Sequence, residues 1–488
     1  MPITFAGLPT TLRVPFVGVE FDPSRARQGP AIKSYRALIV GHRTSAGTVA
    51  EKVLRRITGA DQAATWFGKG SMLHHMAEAW FRQNQLVETW ACAFDEESGG
   101  TAAVKTVTFT GPSTAAGTIF LWIGGRRVKT GVASGASAST IATNVAAAVN
   151  GDATLPVTAV ATSGAVAFTY RHKGTAGTSI DVRVNFGQDE ELPAGVGASV
   201  ANTTAGATDP DLAELWPVIG ETQYDVFAVG FHDSAGRTAL DLELEDRWGP
   251  IRQNDGTAFL AASGTHGALT TLGAGLNSKH LVLIGSELSP TPPWEWAAAL
   301  GSSSARELQA DPARPLQTLE LRGVLGPAEV DRFTLAEQNL LLYDGIATFT
   351  VDQAGLVHLG RIVTTYQKNA TGQDDTAFLD LTTTKTLSFL RYDLRARFLT
   401  KYPRHKLAND GNNFGAGQSV MTPGLARAEA VAAFADWMSA GLVEGLDQFK
   451  LDLVAERDPA DPNRLNLLLG PDLVNQLVVV GTRMAFLL

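Results

Sequence analysis

Apolar and polar positions along this chain follow three different rhythms. From about Tyr35 the apolar residues fall in short continuous runs and in helical stripes. Ala37-Leu38-Ile39-Val40, closed by Gly41, predicts a buried strand, and Met72, Met76, Ala79 and Trp80 share one face of a helix. The same rhythm returns at Asp225 to Val229, a predicted strand, at Thr238 to Trp248, a predicted helix, and at His280 to Ile284, a strand ending at Gly285. Strands alternating with helices predict a mostly parallel sheet with covered faces.

Between these stretches, from about Ser98 to Ala207, Gly, Ala, Ser and Thr dominate and the period shortens to two. Ile180, Val182, Val184 and Phe186 alternate with Asp181, Arg183 and Asn185, predicting a half-buried strand. Val107/Phe109, Ile119 to Ile123 and Val166/Phe168/Tyr170 read the same way. A single helix is expected from Thr140 to Val149, ahead of Gly151. Linker-like edges, ESGGT and NTTAGATDPD, mark this stretch as a small, self-contained, mainly β domain inserted into the α/β domain.

The third rhythm begins near Phe349. Strand-like pieces at Thr348–Val351 and Val357–Thr364 precede a long helix from Thr383 to Phe398 and a second from Pro423 through Trp437. The chain then closes on strand-like segments Arg464–Leu469 and Gln476–Leu488. Both ends are apolar and extended. Val14, Phe16, Val17, Val19 and Phe21 lie among helix-excluding prolines, and Leu477, Val478, Val479, Val480, Met484 and Phe486 crowd the last residues. Termini are polar unless something ties them down, so these arms imply a partner.

The resulting layout is a residue 1–25 arm and a discontinuous α/β core at 26–97 plus 208–345. An inserted β-rich domain at 98–207, an α+β C-terminal domain at 346–475 and a 476–488 arm complete it. The chain has 488 residues, enough for several cores, and carries 40 basic against 49 acidic side chains, net charge −9. That balance argues against direct nucleic-acid binding. The lone Cys92 excludes an intrachain disulfide and fits a reducing cytoplasm. With no signal-like start and no long apolar run, a soluble protein without membrane insertion is expected.

Candidate chemistry is sparse. His74 and His75 are adjacent, so on a helix they diverge by about 100° and are poorly placed for one metal ion. Gly273-Ala274-Gly275 lacks the third glycine of a dinucleotide turn, and Gly68-Lys69-Gly70 is not a phosphate loop. Gly264-Thr265-His266-Gly267-Ala268 and Gly177-Thr178-Ser179 are similar to the histidine and serine segments of subtilisins. Here the serine precedes the histidine, and Ser179 opens a predicted strand rather than a helix that could present it. A serine hydrolase is therefore the alternative reading, not the main one, beside an adhesive β-module. No catalytic, cofactor-binding or metal residue is assigned.

Several segments together resemble the tail sheath proteins of Mu-like contractile phages. They are Leu8-Pro9-Thr10-Thr11-Leu12-Arg13-Val14-Pro15, Asp246-Arg247-Trp248-Gly249-Pro250 with Thr271-Leu272-Gly273, and Pro312-Ala313-Arg314-Pro315-Leu316. From Phe333 to His405 come Glu337-Gln338-Asn339, Tyr343-Asp344-Gly345, Arg361 to Tyr366 and Leu390-Arg391-Tyr392. The resemblance spans the chain apart from the insertion. It implies a core of subtilisin-like topology without a triad, an outward-pointing insert and a C-terminal domain facing a tail tube. It also implies stacked hexameric rings of identical subunits, stitched by strands donated from both arms. Tail tube, baseplate and tail terminator proteins would be partners, in a virion tail assembled in the host cytoplasm. Contraction would drive the tube through the host envelope.

Within the domain that the resemblance places nearest the tube, Lys385 to Lys406 holds seven positive side chains against Asp393 alone, a local +6 in a chain of −9. Arg391 and Arg395 are four apart on the predicted helix and share a face. Lys385, Arg391 and Arg395 are the candidate tube-facing residues.

Overall fold

The computed structural model describes residues 33–415 and 417–487. The expected N-terminal arm, with Val14, Phe16, Val17, Val19 and Phe21, lies outside the described residues. Two compact units emerge, one comprising Lys33–Phe389 and Leu473–Leu488, the other Leu390–Asp472.

The first unit is built on a seven-stranded sheet. Its strands are β1 (Arg36–His42), β2 (Arg55–Ile57), β3 (Glu88–Phe94), β4 (Val226–Val229), β5 (Thr257–Ala262), β6 (Leu281–Gly285) and β7 (Ile346–Ala347), in spatial order β7-β6-β5-β4-β1-β3-β2. All pairs are parallel except β2 with β3. The register of β1 against β4 runs from Ala37 opposite Val226 to Val40 opposite Val229. Burial on both faces explains the continuous apolar runs: every residue of β1 after Arg36 is buried, as is all of β4 and β6.

Helices α1 (Ala60–Phe67) and α2 (Met72–Gln83) follow β2, and α3 (Ser234–Trp248) and α4 (His266–Ala274) follow β4 and β5. Ser71 caps α2, its hydroxyl accepting from the His74 amide. The helix α5 (Pro293–Ala310) packs against β4, β5 and α2 and is buried nearly all round. Its Ala, Gly and Ser residues permit that approach: a Cβ on Gly301 would stand 3.3 Å from the Trp80 ring and 3.4 Å from Val226. Ser302 donates its hydroxyl to the Trp80 carbonyl at 2.8 Å.

The inserted stretch forms two further antiparallel sheets. One orders strands 197–204, 102–110, 165–173 and 157–162, the other 126–132, 117–123 and 182–184. Reciprocal amide–carbonyl bonds of 3.0 Å join Thr101 and Ala207 at its mouth. Its helix, Ala138–Asn150, begins at a Ser137 cap and ends at Gly151. The expected strand from Ile180 to Phe186 shrinks to Val182–Val184: Thr175–Ser179 turn as a 3₁₀ helix just before it, and Asn185, with φ of 56°, leaves the extended conformation just after it. Apolar residues of the insert and of the parallel sheet belong to one continuous core.

In the second unit the helix α6, which begins in the first unit, runs Leu381–Lys401, and α7 runs Pro423–Ser439 with Pro423 in its first turn and Thr422 as cap. Ala426, Ala430, Ala433, Phe434 and Trp437 of α7 are buried, and Phe434 stacks on Phe449 at 4.1 Å. Strands β8 (Val454–Arg457) and β9 (Leu465–Leu468) pair antiparallel as a sheet of two.

Candidate assembly surfaces

In open parallel sheets, ligands bind outside the carboxyl ends of the strands where the chain order reverses. Here that reversal lies at β1 and β4: the chain proceeds to β3 and β2 on one side and to β4, β5 and β6 on the other. Insert side chains fill the place. The His42 ring, at the end of β1, stacks on His172 with centroids 5.1 Å apart and lies 4.9 Å from Phe231, just beyond β4. His172 Nε2 accepts the Met72 amide at 3.1 Å, and Tyr170 stacks on Trp294 at 5.4 Å. Burial, with His172 as neighbour, holds the His42 imidazole down at about 3, so it is neutral near pH 7.

A small cavity of about 110 Å³ remains beside this plug, lined among others by Ser179, His232, Ser263 and Trp294. Burial first, and Arg237 second, pushes His232 down to about 4, and its Nδ1 has no hydrogen-bond partner. His266, the histidine of the subtilisin-like segment, is not among the lining residues, and its Nε2 lies 3.2 Å from the Glu337 carbonyl. Ser179 and His266 therefore are not brought together there, and the hydrogen bond of the His232 ring runs to the Ala261 backbone, not to a carboxylate that would orient it as the third group of a triad. Among the described residues no cluster of three His, Cys, Asp or Glu side chains has metal-site geometry, and no helix is long and apolar enough to cross a membrane.

Besides the packed rings of His172 and Tyr170, an arginine of the insert reaches into the core. Gly124 and Gly125 turn the hairpin between strands 117–123 and 126–132, both with positive φ, and a Cβ on Gly124 would stand 3.2 Å from Pro292. Two consecutive positive-φ glycines make the tight reversal that lets the next residue reach into the core. That residue is Arg126, whose guanidinium meets Glu295 of α5 at 2.6 Å and Glu78 of α2 at 2.9 Å. Burial raises the Glu295 carboxyl and Arg126 opposes that rise.

The C-terminal segment is a long apolar stretch whose described side chains are exposed. Residues 476–487 form no strand, and Leu477, Val479, Val480, Met484, Phe486 and Leu487 are each at least 69% exposed, with Val478 at 37%. Its root is tied down by Gln317 Nε2 on the Leu477 carbonyl at 3.1 Å and by Gln476 Nε2 on the Thr382 hydroxyl. Among the described residues of the second unit, β8 and β9 form a sheet of two, with Val454 45% and Leu468 65% exposed. A two-stranded sheet is marginal alone, and its unpaired edges accept further strands.

The basic stretch on α6 is not a continuous charged face. Lys385 is 3% exposed, and its Nζ donates to the Asp225 carbonyl at 2.7 Å, so it presents no charge to a partner. Burial lowers its ammonium to about 8. Arg397 is held by Asp393 at 2.6 Å and by Asp436 at 2.8 Å, and Lys401 by Glu429 at 2.6 Å. Asp393 also accepts the Trp437 indole N–H at 2.7 Å. Asp436 and Glu429 sit on α7, beyond the window over which the local charge is +6. Arg395 is exposed and Arg391 half-buried.

Comparisons with known proteins agree across the chain. Residues 205–365 match the family model "Phage tail sheath protein central domain" and residues 373–486 match "Phage tail sheath C-terminal domain". The Mu-like prophage FluMu tail sheath protein of Haemophilus influenzae is 36% identical over 488 residues, covering all of both chains. A sheath tail protein of Listeria innocua shares the fold with a TM-score of 0.50 at 12% identity, over 93% of this chain and 94% of that one. One from Desulfitobacterium hafniense aligns at TM-score 0.49 and 12% identity, over 94% of this chain and 100% of that one.

Proposed function

This chain belongs to the phage tail sheath protein family, a family of structural proteins rather than enzymes, and on that premise we propose that it is the repeating subunit of a contractile sleeve. Copies form hexameric rings stacked helically around a tail tube, bounded by baseplate and tail terminator proteins. The α/β core, subtilisin-like in topology, and the insert lie outside, and the C-terminal domain lies towards the tube. The observation that carries this reading is the exposed apolar segment 477–487, a strand-forming sequence without a strand partner among the described residues. The open sheet β8–β9 supplies the complementary edge, so one copy's segment adds a strand to the next copy's sheet. The N-terminal residues 14–21 do the same from the other end.

Work in this sleeve comes from an extended assembly held as a kinetic trap. Its rigid subunits repack into lower-energy contacts while exchanged strands keep neighbours attached. Purified protein in the electron microscope is expected to give long hollow tubes. A population that stays monomeric at high concentration contradicts the reading.

The tube-facing candidates reduce to Arg391 and Arg395. Exposed ion pairs contribute only about 0.2–1 kcal/mol each and weaken with salt, which suits a sheath that must release its tube. Reversing both to Glu is expected to weaken assembly on purified tubes at low salt while leaving tube-free polymer unchanged. Equal co-sedimentation with tubes before and after the reversal would place the contact elsewhere.

A further inference from the structure

Lys385 and Thr382 sit three residues apart on the first turns of α6, both buried; Thr382 meets the root of the C-terminal segment directly, and Lys385 reaches Lys33 and Arg36 through Asp225. Three positions on such a helix put both side chains on one face. Thr382 accepts the Gln476 side-chain amide, immediately before the bare apolar residues that begin at Leu477. Lys385 donates to the Asp225 carbonyl at 2.7 Å, and the Asp225 carboxylate takes Lys33 Nζ at 2.8 Å and the Arg36 amide at 3.1 Å. Lys33 is where residues 1–32 join the core. Both ammonium groups lie against the Tyr35 ring, at 5.5 and 5.9 Å from its centroid.

From this juxtaposition we infer that the first turns of α6 are a common anchor for both terminal segments, with Asp225 as the positioning residue that joins the N-terminal root to the helix. The inference deepens the assembly reading and rests on it. A strand donated from a fixed root leaves in a set direction, so less conformational freedom is lost when a neighbour captures it. With both roots on one helix, a pull transmitted through either exchanged strand enters the core at the same place. A flexible root would let neighbours move without moving this subunit.

The test uses the full-length chain and the variants Thr382→Val, Thr382→Ser and Lys385→Met. Folding should survive each change. Methionine replaces a buried lysine by an apolar side chain of similar length, and Asp225 keeps Lys33, while its carbonyl keeps the Thr257 amide at 3.2 Å. In unassembled protein, amide exchange at residues 477–480 should accelerate in Thr382→Val but not in Thr382→Ser, with exchange in β1 and β4 unchanged. The protein concentration needed for tube formation should rise at least about tenfold in Thr382→Val and Lys385→Met and stay at the wild-type value in Thr382→Ser. A purely structural role would shift the melting transition and the β1 and β4 amides together. Wild-type tubes with Thr382→Val and Lys385→Met assembling at the wild-type concentration would overturn the anchor alone. A wild-type chain that forms no tubes would overturn the anchor together with the assembly reading.

Discussion

A chain ending at Asn475 is expected to fold and to lose assembly. The removed residues contribute no strand, and few of their hydrogen bonds reach the rest of the first unit, notably those of Gln476 and Leu477. Their large side chains are exposed, so the isolated subunit loses little core on truncation. In an assembly the balance reverses. Each such Leu, Val, Met or Phe that becomes buried against a neighbour contributes roughly 1.5–3 kcal/mol, and several per subunit act at every junction. Far-ultraviolet circular dichroism should match the full-length protein, whereas sedimentation and negative-stain microscopy should find no tubes. Tubes of normal length from the truncated chain would contradict strand donation by this segment.

The second large effect concerns stability. Arg126→Met is expected to destabilise the first unit by about 3–5 kcal/mol, because it leaves the buried Glu295 without its ion-pair partner and beside Glu78, which keeps Arg82 at 3.9 Å. Glu295 is 4% exposed, so water cannot take over the role of the guanidinium. Replacing both partners, Arg126→Met with Glu295→Gln, should recover part of the loss, since an uncompensated buried charge is worse than no charge. Urea titration followed by tryptophan fluorescence reads the change; Trp294 and Trp296 flank Glu295. A single variant as stable as the wild type would mean that the insert is not held through this pair.

These two predictions differ in how they could be read from the sequence. The apolar character of the C-terminal segment was legible, but the strand expected from Gln476 onwards is absent from its described residues, whose large side chains are exposed. Strand β1 and helix α2 were equally plain, one a continuous apolar run and the other a stripe at helical spacing. Arg126 was not. Its partner Glu295 lies 169 residues away, and the insert carries the alternating pattern of a domain that needs no neighbour. The same separation hid the role of Lys385, whose acceptor on Asp225 stands 160 residues earlier. A count of charges within one helix sees neither acceptor. The helix α5 escaped for another reason: Gly301-Ser302-Ser303-Ser304 has the composition of a loop. Close packing on Trp80 and Val226 overrides that propensity, and small residues are what the contact requires. Nor did any local pattern announce that His172 and Tyr170 would occupy the ligand-binding position at the carboxyl ends of β1 and β4. Period-two alternation identifies a buried face without saying what it is buried against.

The most direct measurement is a cryo-electron-microscopy map of tubes grown from the full-length chain, at a resolution that traces residues 477–487. This segment is expected as an added strand on the β8–β9 sheet of a neighbouring subunit, with its root still on Thr382 of its own chain. A segment folded back along its own subunit, with β8–β9 of every copy left unpaired, would contradict it.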